Sequence, residues 1–273
     1  MKSAEEGFER NGFLGDESAW RAAFHKDYSK WIEAYTEVNK VAVAMFTAAK
    51  AHRDNDKEII VSLLMARILS NYQSLLILME RGFIAEVKIV LRSMFEAVFG
   101  LVACAKEETF VDKYVATSKK KHSAYLRKLS GIECLKQIQE LQQVSLNLSQ
   151  QTKSDKETHI KEVAKAAGML DEYNSHYSEL CLFGHANLPS LQGTIAYDEK
   201  GRATHHLLER SDKDVKDSFF FAMLLMIQVI SRFRTTFNLG FDEDGPRIGT
   251  LFNSLKVEYV EEHLKQANEG EGG

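Results

Sequence analysis

Apolar positions recur at helical spacing through most of this chain, and polar breaks divide the pattern into segments. Trp20, Phe24, Trp31, Tyr35, Val38 and Ala42 mark one face of a helix that opens at a cap on Asp16 or Ser18 and runs to about His52. "RDNDKE" interrupts it. A second helix is predicted over 56–80, ending at Gly82, a third over 83–106 and a fourth over 109–129. Residues 131–168 are rich in Gln, Lys and Glu and predict one or two solvent-facing helices, broken around "SQQTKSD". "LDEYNSHYSELCLFGH" predicts another helix, followed by the loop "GHANLPSL". In "GTIAYDEKGRATHHL" two β-prone runs flank "DEKG", with Asp first and Gly fourth as a type I turn prefers, so a hairpin is expected. "RSDKD" then caps a long apolar helix over 212–238, and a shorter helix follows Pro246.

These elements predict an all-α, multi-helix up-and-down bundle with a small β-hairpin insertion near 192–208. Residues 1–15 are expected to be disordered or loosely ordered, 16–266 to form a single helical domain, and 267–273 to be a disordered tail. The expected core helices are 56–80, 83–106, 109–129 and 212–238, with 170–183 packed against them so that His185 comes near Arg92.

Composition changes this picture little. Hydrophobic residues make up 44% of the chain and charged residues 27%, which suits a globular protein with a sizeable core. Only two prolines, Pro189 and Pro246, interrupt it. The most apolar run, Phe219 to Ile230, is shorter than the ~20 residues a bilayer span requires, so a core helix is expected and no membrane partner. The N-terminus is polar and acidic, unlike a signal peptide. Three cysteines, Cys104, Cys134 and Cys181, form no CxxC, which predicts neither a disulfide framework nor a zinc site and fits a cytoplasmic protein. The net charge of −4 gives no global attraction to nucleic acid, so any basic site must be local.

Candidate chemistry begins with "VLRSMFEAVFGLVACA". Arg92 and Glu96 lie four residues apart, on one face of an otherwise apolar helix. Two readings follow: an internal ion pair that fixes helix packing, or a polar pocket in which Arg92 binds an anion and Glu96 orients it. In "YSELCLFGHANLPSL", His185 follows Gly184 at a helix end, where it can cap the helix or act as a general acid/base. Tyr177 and Asn187 are candidate hydrogen-bond donors beside it. "SKKKHSAYLRKL" places Lys119, Lys120, Lys121, Arg127 and Lys128 on one basic segment, with Tyr114 and Tyr125 nearby. That segment is either a solvated helix face or a backbone-binding strip for nucleic acid. No metal or cofactor site is expected. Glu172, His176 and Glu179 share a helix face without the Glu and Glu-x-x-His sets of a di-iron bundle, and adjacent His205 and His206 point to opposite faces of a strand. Walker A, dinucleotide-binding, HExxH and GxSxG motifs are absent.

The pairing of "LRSMFEA" with the later "YSELCLFGHANLPSL" resembles an uncharacterised bacterial family of all-helical proteins of unknown function, over about Val61 to Leu239. More distantly it is similar to HEPN helical bundles, many of them ribonucleases of toxin–antitoxin and antiphage systems. Their hallmark is an Arg followed a few residues later by a His. No such His follows Arg92, so a pair of this type would be assembled from Arg92 and His185 across two helices. The resemblance implies a nucleic-acid-directed protein, in its strongest form a metal-independent ribonuclease of a bacterial defence or stress system with RNA as partner. Arg92, His185, Glu96 and Tyr177 would be its catalytic set. The alternatives are a non-catalytic interaction or homo-oligomerisation module with a structural Arg–Glu pair, and a sensor with a small anionic ligand at Arg92.

Overall fold

A computed structural model describes residues 11–184, 191, 195–206, 210–240 and 243–270. Ten helices and one two-stranded sheet make up these residues, an all-α bundle with a small hairpin. The first helical stretch is two helices, α1 (Ser18–Asp27) and α2 (Ser29–Ala48). The chain bends between them at Tyr28, whose ring packs on Phe24 and Phe219 and whose hydroxyl donates to Asp212. Apolar spacing cannot mark this break, because the contacts that bend the chain come from distant residues.

Helix α3 (Asp56–Met79) starts where the Asn55 side chain accepts from the Glu58 N–H at 3.1 Å. It ends before Gly82, which sits at φ +76°, and a Cβ there would stand 2.7 Å from the Arg210 side chain. Glycine is therefore needed at this turn for both conformation and space. Next come α4 (Ile84–Lys106) and α5 (Glu108–Ser130), close to their expected bounds, then α6 (Gln139–Gln151) and α7 (Ile160–Ala167). Helix α8 is continuous through Leu170–Glu172, a π turn at Tyr173–Tyr177, and Ser178–Phe183. The hairpin pairs β1 (Ile195–Tyr197) with β2 (Ala203–His206) in antiparallel register, Ile195 opposite His206. Its turn is held by the Asp198 carboxylate, which accepts from the backbone N–H groups of Lys200 and Arg202. Helices α9 (Val215–Phe237) and α10 (Asp244–Gly270) complete the chain.

Helix α4 lies at the centre, with α3, α7, α8 and α9 against it. Its Phe95, Val98, Phe99 and Leu101 are fully enclosed. Helix α2 closes the other side of α3 and α9. There Tyr35 and Tyr72 stack with centroids 3.8 Å apart, and each hydroxyl donates to the other's backbone carbonyl. This arrangement corrects the expected core. Helix α2, with buried Trp31, Tyr35 and Met45, belongs to it, whereas α5 contributes less, Phe110 and Val111 with Tyr114 and Val115 half-buried beside them. Nor does α7 face solvent. Val163, Ala164 and Ala167 pack on α4, a short apolar face hidden by the polar average of its surroundings. Helix α10 is 27 residues long, with Pro246 in its first turn, where the ring's missing N–H costs nothing.

Helices α3 and α9 are long and apolar enough, by length and composition, to cross a membrane. The apolar run Phe219–Ile230 is shorter than a bilayer span, but the helix around it has 23 residues. In the fold both serve as core helices, burying Leu75 and Met79 from α3 and Phe219, Met223 and Phe233 from α9.

Candidate functional site

Between α3, α4, α5, α7 and α8 the bundle opens into a cleft of about 520 Å³. This lies within the ~300–1,000 Å³ range of small-ligand sites. The outer edge of α4 supplies Arg92, Ser93 and Glu96, one face of α5 supplies Tyr114, Ser118 and Lys121, and α8 supplies Tyr177.

Arg92 and Glu96 form an ion pair at 3.0 Å, but not in a dry interior. Their side chains are 28% and 41% exposed. The apolar run around them packs on the opposite side of α4, and the i,i+4 pair falls on the edge that faces the cleft. The Tyr177 hydroxyl donates to Glu96 Oε1 at 2.8 Å, the same oxygen that Arg92 meets. The guanidinium lies 5.7 Å from the centre of the Tyr177 ring. Burial works against the Arg92 charge, yet contacts with Cys181 and Tyr177 and the charge of Glu96 hold its pKa above the ordinary value. Burial, then the bond to Glu96, pushes the Tyr177 pKa well up, and burial raises that of Tyr114. At neutral pH both phenols are therefore protonated donors. Arg92 Nε is buried and has no hydrogen-bond partner among the described residues.

Two glycines shape this place. A Cβ on Gly100 would stand 2.9 Å from the Tyr114 ring, so glycine lets that ring approach α4 this closely. A Cβ on Gly184 would stand 3.0 Å from Arg92 Nη1. The end of α8 thus rests against the guanidinium. His185 itself, like Asn187, lies outside the described residues.

The π turn brings Tyr177 to this point. It adds a residue to the helical repeat over "YNSHY", and the Ser178 hydroxyl reaches back to the Tyr173 carbonyl five residues earlier. Nothing in apolar periodicity marks that insertion. Arg67, also on the cleft wall, donates to Ser93 Oγ at 3.3 Å, and Asn71 approaches the same hydroxyl. Arg67 escaped the sequence reading although its signal equals that of Arg92: an arginine within the apolar run "LLMARIL". His159 lies on the wall opposite, at the start of α7, where Glu162 accepts from its backbone N–H.

The basic residues of α5 do not lie on one face. Lys121 lines the cleft and lies 3.7 Å from Glu157. Lys120 donates to the Asp155 carbonyl. Lys119 and Arg127 are exposed but, at the helical repeat, leave the face of Lys121 and Lys128: Lys119 lies on the far side of α5, and Arg127 is turned about 100° from Lys128. Among the described residues no group of His, Cys, Asp and Glu is placed to hold a metal ion. The Glu172–His176–Glu179 face instead packs its histidine on Phe221, ring centroids 3.8 Å apart.

Fold and site together define a class, an all-helical bundle with an open, cation-bearing cleft against its central helix. The chain belongs to a family of unknown function, DUF5677, whose family model matches residues 58–202. That span holds every residue named on the cleft wall. No curated protein and no solved structure matches the chain.

Proposed function

We propose that this is an HEPN-like, nucleic-acid-directed protein of the cytoplasm that receives a phosphate of RNA in the Arg92 cleft and cleaves the chain without a metal. The observation that carries this reading is the convergence of Arg67, Arg92 and Lys121 on one ligand-sized cleft. Within it Arg92 is held in place by Glu96 and Tyr177. A guanidinium so fixed presents its remaining N–H donors as a rigid fork suited to phosphate oxygens. Metal-free cleavage needs a base to take the 2′-hydroxyl proton, a cation for the phosphate charge and a proton for the leaving 5′-oxygen. O2′ then bonds to phosphorus, the P–O5′ bond breaks and a 2′,3′-cyclic phosphate remains. Arg92 fits the cation role and the protonated Tyr177 a donor role. For the base the candidates are Glu96, His159 on the facing wall, and His185 directly after Gly184. A setting in antiphage or stress defence is part of this reading through the HEPN likeness alone.

The test is a broad RNA panel incubated with the protein in EDTA. Cleavage should persist in EDTA, fall by orders of magnitude in Arg92→Lys, which keeps charge but loses the fork, and vanish in the variant lacking the base, whether Glu96→Gln, His159→Ala or His185→Ala. An intact panel rules out the nuclease, and RNA that fails to bind even at low salt rules out the whole reading.

One observation favours the interaction module. A groove of about 410 Å³ between α2 and α3 is lined by Val43, Phe46, Leu69 and Ile77 together with Ser70, Gln73 and Ser74, and no ionisable side chain lines it among the described residues. Such a face meets its own copy without like-charge repulsion. Here Ile77→Glu should convert a dimer to a monomer in light scattering. A wild-type monomer at all concentrations removes this reading.

A further inference from the structure

From the cleft outward along α5 the helical repeat places a line of residues. Tyr114, Ser118, Lys121, Tyr125 and Lys128 are spaced four, three, four and three residues apart along α5. That spacing keeps all five on one stripe, about 21 Å long at the α-helical rise. The first three line the cleft. The last two stand outside it, where Tyr125 is 57% exposed and Lys128 is exposed. The stripe passes from covered to open because α5 changes partners. Phe110, Val111 and Thr117 are buried at its start, whereas Ser123 and Leu126, on the other side, are buried near its end, where α6 packs.

We infer that this stripe is a track for single-stranded nucleic acid, with one nucleotide in the cleft and its neighbours laid along Lys121, Tyr125 and Lys128. The inference rests on the reading of the cleft as a phosphate site and gives it a substrate form. An exposed tyrosine between two lysines on one helix face provides a surface for base stacking with a cation for the phosphate on each side. Lys121 is free to serve. Its side chain is 63% exposed, and Glu157, its ion-pair partner among the described residues, is held at 3.7 Å, longer than a hydrogen bond. A ligand-sized cleft admits a flexible strand and not a double helix. Tyr114 lies at the inner end of the stripe with its ring against Gly100.

The experiment compares a fluorescent 2′-O-methyl oligouridylate, which cannot be cleaved by its own 2′-oxygen, with uridine monophosphate and with a duplex of the same length. The probes are titrated against the full chain at low salt. The single strand should bind more tightly than the mononucleotide, and the duplex no better than it. Tyr125→Ala and Lys128→Glu, both outside the cleft and on exposed positions, should each weaken strand binding about tenfold and leave mononucleotide binding unchanged. Equal affinity for strand and mononucleotide, or strand affinity unmoved by both variants, overturns the track while leaving the cleft. Strand binding that depends on Tyr125 and Lys128 but is indifferent to Arg92→Lys supports the track and overturns the cleft reading.

Discussion

Arg92 is held by contacts that a single methyl group disturbs. Gly184 lies so close to the guanidinium that a Cβ there would stand 3.0 Å from Nη1. The atom it meets is the end of a flexible side chain, so Gly184→Ala should shift Arg92 and leave the fold nearly as stable. Ligand affinity should fall at least tenfold while the thermal midpoint moves little. Glu96 makes the converse case. Were the pair enclosed, Glu96→Ala would strand a buried cation and cost roughly 3–5 kcal/mol. Its exposure removes that penalty, and the loss of a partly exposed ion pair and one hydrogen bond from Tyr177 should cost about 1–2 kcal/mol in denaturant unfolding. His176 carries a pH dependence. Burial against Phe221 lowers its pKa, partly offset by Glu179, Glu172 and Asp217, so the fold prefers the neutral ring. In the window below its ordinary value of 6.5 the unfolded chain binds a proton that the folded chain refuses. This contribution to stability is complete above that value and is lost as pH falls toward the folded pKa. The stability difference between the wild type and His176→Gln should therefore shrink as pH is lowered below neutrality, which paired urea titrations would measure.

At the scale of elements, the candidate site depends on a local irregularity in α8. The π turn at Tyr173–Tyr177 rotates the helix by about one residue, roughly 100°, relative to an uninterrupted α-helix. Deletion of Asn174, an exposed residue of that turn, should restore regular helix and carry Tyr177 off Glu96 or α8 off its seat. Circular dichroism should stay helical while ligand binding is lost. Retained binding would show that Tyr177 has no part in the site. The same element shows what the sequence can and cannot say. Helices α3 and α4 were legible because the polar break "RDNDKE", a glycine at 82 and long apolar faces all agree on their bounds, and the structure adds a cap at Asn55 and a left-handed Gly82. The hairpin was legible from the turn chemistry of "DEKG". The break at Tyr28 was not, since contacts from Phe219 and Asp212 impose it. Arg92 and Glu96 stood out as charges within an apolar run, and their spacing foretold their pairing. Their exposure did not follow, because which edge of α4 meets a cleft depends on where α5 and α7 lie. Arg67 shows that the same signal, read on one helix only, finds half of what it could.

On the scale of the whole molecule, a net charge of −4 argues against nonspecific attraction to a polyanion, so recognition must come from a few placed cations. The cleft and the stripe on α5 hold four of them: Arg67, Arg92, Lys121 and Lys128. A single strand that meets all four releases about three counterions. The logarithm of its affinity should then fall against the logarithm of salt concentration with a slope of about −3. Lys128→Glu should make the slope shallower by about 0.7 or more, whereas Lys119→Glu, on the far side of α5, should leave it nearly unchanged. A contact spread over the whole basic segment would give the opposite result, with Lys119, Arg127 and Lys128 counting alike. Binding isotherms over a salt series for the wild type and these two variants therefore separate a directed track from a diffuse basic face. A slope near zero, with affinity intact, would mean that the ligand is held by contacts other than its phosphates.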